Sequence, residues 1–255
     1  MKKIITHLFA LMLTLNISAQ ITEFTPAQTW PDNNGQHINA HGGNLLKVGK
    51  VWYWYGENRP SRGFTTEAGV RLYSSRDLMN WTDEGVALAN EVGTPIEPGC
   101  IIERPKVVYN KKTKKYVMLF HLELKGRGYD AAQVGFAVSD TPKGPFKFLR
   151  ALRPNAGKWP SNFTEDDIKT AQEQNPRDYK EWWTPEWRKA IVKGMFTHRD
   201  FKGGQMSRDM TLFIDDDGKA YHIYASEGNS TLQIAELAED FLGFTGRYWR
   251  MAEKE

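Results

Sequence analysis

The chain has 255 residues, a net charge of only +3 and a single cysteine, Cys100. A chain of this length can bury a substantial core in one domain, and one cysteine excludes an intramolecular disulfide. No basic stripe runs along the sequence, which argues against a nucleic-acid partner. Aromatic residues make up 13% of the chain and include nine Trp, and such flat rings serve both protein cores and sugar-binding clefts.

The first residues have the layout of a signal peptide. Lys2 and Lys3 precede a mostly apolar run over 4–15, and small residues lead to a cleavage point near Ala19. The run is too short for a membrane span, and no later stretch approaches one. We therefore predict a signal peptide over 1–19 and a secreted or periplasmic mature chain, 20–255, without a membrane span.

A unit of four short strands begins after a polar lead-in at 21–36. Strands at 44–48 and 51–55 flank a turn at Gly49-Lys50, a third strand covers 70–75, and Trp81 belongs to a short outer strand. The alternation of β-branched and aromatic residues with turn residues is typical of antiparallel sheets.

The same order returns twice. Strands are predicted at 105–109, 116–121, 134–139 and 144–148, and again at 210–214, 220–225, 232–237 and 244–246. Repeated units of four antiparallel strands are typical of β-propeller blades. Three such units can be counted, and three sheets cannot close into a ring. We therefore predict an all-β propeller of which about three blades are present. The residues 247–255 resemble an unfinished connection.

A helical insertion separates the second and third repeats at about 155–205. Thr164 is predicted to cap a helix that ends before Pro176, and Thr184-Pro185 starts a second helix that ends by Gly194. Helices are expected only at about 155–200. The insertion is either structural decoration on the rim or an element that shapes the substrate site, and the sequence leaves both open.

Three carboxylates stand at comparable points of the repeats: Glu57, Glu103 and Asp209. The inner strands of a propeller converge on its axis, so equivalent positions are expected to face one cavity. Glu103 and Asp209 each precede an inner strand and each adjoin an arginine, Arg104 and Arg208. We predict two buried acids that these guanidinium groups keep ionised and oriented. Each acid taken alone fits a surface position better than a buried one, and the prediction depends on the shared repeat position and the shared arginine neighbour.

Other candidate residues have weaker patterns. His41 precedes Gly42 and Gly43, which permit close backbone approach, so it is either a cavity residue or a turn cap. The other histidines lack the spacing of a metal site, and 215–218 fits a hairpin turn better than a calcium loop. No phosphate-binding glycine loop occurs. We therefore predict no metal and no cofactor.

Four strings carry a family resemblance. They are Ala-His-Gly-Gly at 40–43, Tyr-Trp-Tyr-Gly-Glu at 53–57, Glu-Arg-Pro-Lys-Val at 103–107 and Ser-Arg-Asp-Met-Thr at 207–211. Together they resemble glycoside hydrolase family 43, in particular its exo-β-1,3-galactanase and β-galactosidase-like branch, over about 38–246 without most of the insertion. The resemblance implies a five-bladed β-propeller. It also implies hydrolysis with inversion of β-galactoside-containing polysaccharide such as β-1,3-galactan. We expect a monomer.

The resemblance also implies roles for individual residues. Glu103 corresponds to the carboxylate that orients the substrate and tunes the pKa of the general acid. The implied substrate-binding residues are Glu57, Asp209, His41, Arg104, Arg208 and Tyr129.

Two departures from the family pattern affect the catalytic groups. The position of the usual Asp base reads Ala-His-Gly-Gly, and the general acid is expected in a fourth repeat, which this sequence does not contain. The site is then expected to bind sugar and to lack its acid. A non-catalytic glycan-binding propeller, a lectin or pseudoenzyme, is the alternative function.

Overall fold

The computed structural model describes residues 20–59 and 69–252, so the predicted signal peptide lies outside the described residues. Most of the regular structure is β-sheet. Twelve strands form three four-stranded sheets, and in each sheet the strands are antiparallel and adjacent in chain order. The predicted units of four antiparallel strands are confirmed.

The strand bounds are as follows. Sheet 1 consists of β1 (His41–Val48), β2 (Val51–Glu57), β3 (Val70–Ser75) and β4 (Thr82–Leu88). Sheet 2 consists of β5 (Ile101–Asn110), β6 (Lys115–Glu123), β7 (Gln133–Ser139) and β8 (Lys147–Leu152). Sheet 3 consists of β9 (Met210–Ile214), β10 (Ala220–Ser226), β11 (Thr231–Leu237) and β12 (Phe244–Ala252).

Two predicted boundaries are wrong. The residues 247–252 do not form an unfinished connection, because β12 continues to Ala252 and pairs with β11 through Thr231. Glu103 does not precede its strand but lies inside β5, which begins at Ile101. The β5–β6 register shifts between Glu103 and Lys106, and Arg104 has a φ of +53°. This irregularity re-aims the side chains at that point, as bulges do.

The described helices lie between β8 and β9, as predicted. They are α1 (Glu165–Gln172), α2 (Pro185–Val192) and α3 (Met195–Arg199), with a short 3₁₀ turn at Pro176–Asp178. The Thr164 hydroxyl accepts a hydrogen bond from the Asp167 N–H, and the Asp167 carboxylate accepts one from the Thr164 backbone N–H, which is a complete capping box. Thr184 caps α2 in the same way from the Trp187 N–H. The helix α3 was not predicted.

The sheets pack face to face through two apolar clusters. Tyr55 and Leu72 of sheet 1 meet Met118 and Phe120 of sheet 2 in the first cluster. In the second cluster, side chains from the other face of sheet 2 meet apolar residues of sheet 3. Its fully buried members include Val117, Leu119, Val134, Phe136, Tyr224, Ala235 and Tyr248. The first strands of the sheets are neighbours, with β5 between β1 and β9.

This packing brings corresponding strand ends together. We call this edge of the sheets the site edge. The strands β1, β5 and β9 begin there, and β2, β6 and β10 end there. Glu57 ends β2, Glu123 ends β6, and Asp209 immediately precedes β9, so their side chains meet there. In the part of the chain that the structure describes, no helix is long and apolar enough to cross a membrane.

Candidate active site

Glu57 is a buried acid of the site edge and is 1% exposed. Arg59 Nε donates to its Oε2 over 2.5 Å, and the backbone N–H of Arg104 donates to its Oε1 over 3.2 Å. A glycine is required beside it, because a Cβ on Gly42 would lie 2.6 Å from Glu57 Oε1 and 2.9 Å from Arg104 Cδ. Gly42 also has a φ of +52°, which favours glycine.

Glu103 lies next to Glu57 and has hydrogen-bond partners from three separate parts of the chain. Arg59 Nη2 donates to its Oε1 over 3.0 Å, and the Tyr129 hydroxyl donates to the same oxygen over 2.9 Å. His121 Nδ1 lies 3.1 Å from its Oε2. One guanidinium group, that of Arg59, thus joins Glu57 to Glu103.

Contrary to our prediction, the guanidinium groups of Arg104 and Arg208 do not pair with the acids beside them in sequence. Arg104 instead donates to Asp209, with Nε 2.9 Å from Oδ1 and Nη2 3.3 Å from Oδ2. Neighbouring side chains along a strand point to opposite faces, so Arg104 points away from Glu103. The Asp209 side chain is 58% exposed, so the prediction of two buried acids is wrong for Asp209.

The Arg208 guanidinium group is directed toward Tyr129 and Glu123. Its Nη2 donates to the Tyr129 carbonyl over 2.5 Å, and its Nη1 lies 3.4 Å from Glu123 Oε1. The guanidinium carbon lies 5.7 Å from the centre of the Tyr129 ring. Arg208 therefore supports Tyr129, whose side chain is 41% exposed and whose hydroxyl reaches Glu103.

His41 lies at the start of β1, in register with Glu57. It is exposed, and no described residue forms a hydrogen bond with its ring. It is therefore not a turn cap within the described chain. A buried Lys106 fixes the backbone beside it, since its Nζ donates to the carbonyls of Gly42 and Gly43 over 2.6 and 3.1 Å. Burial and the nearby Arg104 charge lower the pKa of Lys106 to about 8.

Charge distribution keeps Glu103 ionised. Burial alone would raise the pKa of Glu103, but hydrogen bonds from His121 and Tyr129 and the charge of Arg59 outweigh it, and the pKa is lowered. Burial would likewise lower the pKa of His121, but its bonds to Glu103 and Glu123 raise it. Burial and the bond to Glu103 raise the pKa of Tyr129 to about 12, so its hydroxyl stays protonated as a donor.

One group among the described residues has the spacing of a metal site. Donor atoms of Glu103, His121 and Asp209 lie within 4.8 Å of one another. All three side chains already form hydrogen bonds: His121 with Glu103, and Asp209 with Arg104. The Arg59 guanidinium group also bonds Glu103. A metal cation would meet positive charge there, whereas a ligand rich in hydroxyl groups could exchange hydrogen bonds with both acids and guanidinium groups.

Sequence reasoning missed three residues of this site: Arg59, His121 and Glu123. None belongs to the repeated acid-arginine pattern. A usable signal did exist for Glu123, because a glutamate that ends an otherwise apolar strand, 116–122, is rarely buried without a partner. Arg59 offered no such signal, since it follows β2 in an irregular segment.

No family model matches the chain, and no curated protein matches it. Among solved structures, it is similar to a GH43 β-1,3-galactosidase determined with galactodeoxynojirimycin, with 58% identity over 89% of this chain and a TM-score of 0.84.

Two further solved structures are exo-β-1,3-galactanases. The enzyme from Phanerochaete chrysosporium with β-1,3-galactotriose is 30% identical over 88% of this chain, with a TM-score of 0.66. The enzyme from Clostridium thermocellum is 32% identical over 86%, with a TM-score of 0.64. The chain spans 66% of the first structure's length and 41% and 39% of these two. By its similarity to these structures, the chain belongs to glycoside hydrolase family 43.

Proposed function

We propose that this protein is a glycoside hydrolase that acts on β-galactoside-containing polysaccharide such as β-1,3-galactan, with inversion at the anomeric carbon. The observation that carries the proposal is the convergence of Glu57, Glu103 and Asp209 on one site edge. The oxygens of Glu103 and Asp209 approach within 4.8 Å, which is on the scale of one sugar ring. The similar solved structures are described as β-1,3-galactosidases and exo-β-1,3-galactanases.

In this proposal the exposed groups bind the sugar hydroxyls first. Asp209, Arg104 and Tyr129 have side chains that are about half exposed, and together they offer an anionic acceptor, a cationic donor and a neutral donor. His41 extends the same surface. Glu57 is buried, and it accepts a hydrogen bond from a sugar hydroxyl in place of the one from Arg59. Arg208 acts on the sugar only through Tyr129.

Glu103 is assigned to orienting the substrate and tuning the acid, not to donating the proton. Inverting hydrolysis needs a protonated acid at the leaving oxygen and a base that activates water on the opposite face. A carboxylate whose pKa is lowered is ionised at neutral pH and is a poor proton donor. We propose that neither Glu103 nor Asp209 is the general acid.

The architecture we propose is a five-bladed β-propeller in which sheets 1 to 3 are consecutive blades. Support comes from their four-stranded order and from the adjacency of β1, β5 and β9. We also propose that the protein is exported, on the basis of the sequence layout at 1–19, and that it acts as a monomer on extracellular or periplasmic glycan.

The experiment measures sugar binding and bond cleavage separately. Calorimetry with galactose and with β-1,3-galactotriose is expected to show binding that Glu103→Gln weakens on the order of 100-fold, since a buried charged partner is lost. Hydrolysis of β-1,3-galactobiose is followed by NMR to detect inversion. The matched control is Glu84→Gln, an acid in sheet 1 that pairs with Lys143.

Three outcomes would count against parts of the proposal. Absence of any galactose binding would reject the substrate class, and cleavage with retention at the anomeric carbon would reject the inverting mechanism. If the chain cleaves β-1,3-galactobiose, Glu103→Gln abolishes this, and activity on an aryl β-galactoside with a good leaving group survives, then Glu103 is the acid. That result would overturn our assignment, because only a missing acid is compensated by a better leaving group.

A further inference from the structure

The carboxylate of Glu123 is fully buried at the end of β6 and carries none of the roles assigned above. Burying an ionised carboxylate is costly unless it is paired and hydrogen-bonded, so such a group requires a reason. Its partners supply one, because they include His121, which bonds Glu103, and groups that hold the segment around Tyr129.

The first partner is His121, which lies between two acids. Its Nε2 is 2.8 Å from Glu123 Oε1 and its Nδ1 is 3.1 Å from Glu103 Oε2. A neutral imidazole carries one N–H, and an ionised carboxylate only accepts hydrogen bonds. Both contacts are satisfied together only when both ring nitrogens carry protons. The geometry therefore favours an imidazolium between two carboxylates.

The other three partners hold Tyr129. The backbone N–H groups of Ala131 and Ala132 donate to Glu123 Oε2 over 2.7 and 2.9 Å, which fixes the segment that follows Tyr129. Arg208 lies 3.4 Å from Glu123 Oε1 and donates to the Tyr129 carbonyl. Two of the groups that bond Glu103, the ring of His121 and the hydroxyl of Tyr129, thus depend on one carboxylate.

We propose that Glu123 is a positioning residue of the sugar-binding site, which holds His121 as a cation and Tyr129 in place so that Glu103 has one fixed orientation. The proposal rests on the proposed function for its consequence, but its structural part can be tested alone. The charged or titratable groups that face the His121–Glu123 pair are Glu103, Tyr129, Arg208, Arg153, Arg59 and Asp209.

The first measurement is the protonation of His121 by ¹⁵N NMR of the full chain, which needs no variant. We expect both ring nitrogens to stay protonated beyond the ordinary histidine range of about 6.5. A neutral ring with a single N–H at pH 7 would overturn the proposal. This readout does not depend on sugar binding, so it stays informative even if galactose does not bind and the proposed function fails.

The second measurement compares Glu123→Gln with Glu123→Asp. The Gln variant removes the charge, so His121 should titrate at or below about 6.5, and galactose affinity should fall on the order of ten-fold. The Asp variant keeps the charge and should keep the cation even if its stability falls. The control is Glu97→Gln, an exposed acid that pairs with Lys125, and it should change neither readout.

The proposal is wrong if Glu123→Gln folds, shown by circular dichroism, and binds galactose as tightly as the unmodified chain. It is also wrong if Glu123→Asp loses the cation to the same extent as Glu123→Gln, because the carboxylate charge would then not be the cause. If Glu123→Gln does not fold, the His121 titration in the unmodified chain and in Glu123→Asp decides.

Discussion

At the scale of single residues, the site is organised by pairs that cross between sheets. Arg104 of sheet 2 bonds Asp209 at the start of sheet 3, and its backbone N–H bonds Glu57 of sheet 1. Its left-handed φ of +53° makes both contacts possible from one residue. A strained conformation of this kind persists only where the surroundings determine it, and it is common at functional sites.

Replacing Arg104 by Lys should affect binding more than stability. Lysine keeps the charge but cannot match a carboxylate with two parallel N–H bonds, so Asp209 becomes mobile and galactose affinity should drop several-fold. The pair is about half exposed, so the free energy of unfolding should change by less than about 1 kcal/mol. Calorimetry and urea unfolding measure the two effects.

The control for this variant is Arg71→Lys, which alters a bidentate pair with Asp83 in sheet 1. It should leave galactose affinity unchanged. Equal losses of affinity in both variants would indicate a general effect on the fold and would refute a specific role of the Arg104–Asp209 pair.

The lowered pKa of Glu103 predicts an acid-sensitive contribution to stability. The unfolded carboxyl titrates near 4.5 and the folded one below it, so the folded state binds fewer protons between these values. The contribution is therefore complete above pH 4.5 and is lost as the pH falls through the folded pKa. Urea unfolding should show Glu103→Gln less stable than the unmodified chain at pH 7, with the difference shrinking toward pH 3. A difference that does not depend on pH would contradict this.

At the scale of elements, the sequence predicted what depends on local pattern. The strands predicted at 51–55 and 220–225, the turn at Gly218 and the caps at Thr164 and Thr184 rest on local signals, and the structure contains each of them. Local pattern did not predict which side chains pair with one another in the site. Arg59 reaches Glu103 across 44 positions and His121 reaches it across 18, and strand register alone determines such meetings.

The helical insertion is attached to sheet 3 by a buried ion pair. Arg250 of β12 bonds Glu227 through Nε and Nη2, both over 2.7 Å, and it also donates to the carbonyls of Ile191 and Val192 in α2. Thr197 of α3 donates to Glu227 over 2.7 Å. Both charged side chains are at most 3% exposed. Whether the insertion also shapes the substrate site stays a prediction.

Removing one partner of this pair should destabilise the fold strongly. Glu227→Gln leaves the Arg250 charge buried without a counter-charge, which costs about 3–5 kcal/mol. The control is Glu239→Gln, which removes an exposed pair with Lys112 and should cost at most about 1 kcal/mol. Urea unfolding of both variants provides the comparison, and equal losses would mean that Arg250 finds other compensation.

At the scale of the whole molecule, sheet 3 has one covered face and one open face. The face toward sheet 2 carries Tyr224 and Tyr248, which are fully buried. The opposite face carries Phe213, Leu232 and Met251, which are 51%, 43% and 43% exposed. Leu232 and Met251 are directly paired across β11 and β12. In the five-bladed architecture that we propose, this apolar face is where a further sheet packs.

A chimera tests this proposal. The part of the 58%-identical β-1,3-galactosidase that this chain does not cover would be joined to it, and Leu232→Ser would be made in both the chain and the chimera. In the chain, Leu232 is half exposed, so the substitution should change the free energy of unfolding by less than about 0.5 kcal/mol. In the chimera, the packed sheet should bury Leu232, and the same substitution should cost about 2 kcal/mol. The chimera should also bind less of an apolar dye such as ANS. An equal effect of Leu232→Ser in both proteins would mean that no sheet packs on this face, and the five-bladed arrangement would have to be abandoned.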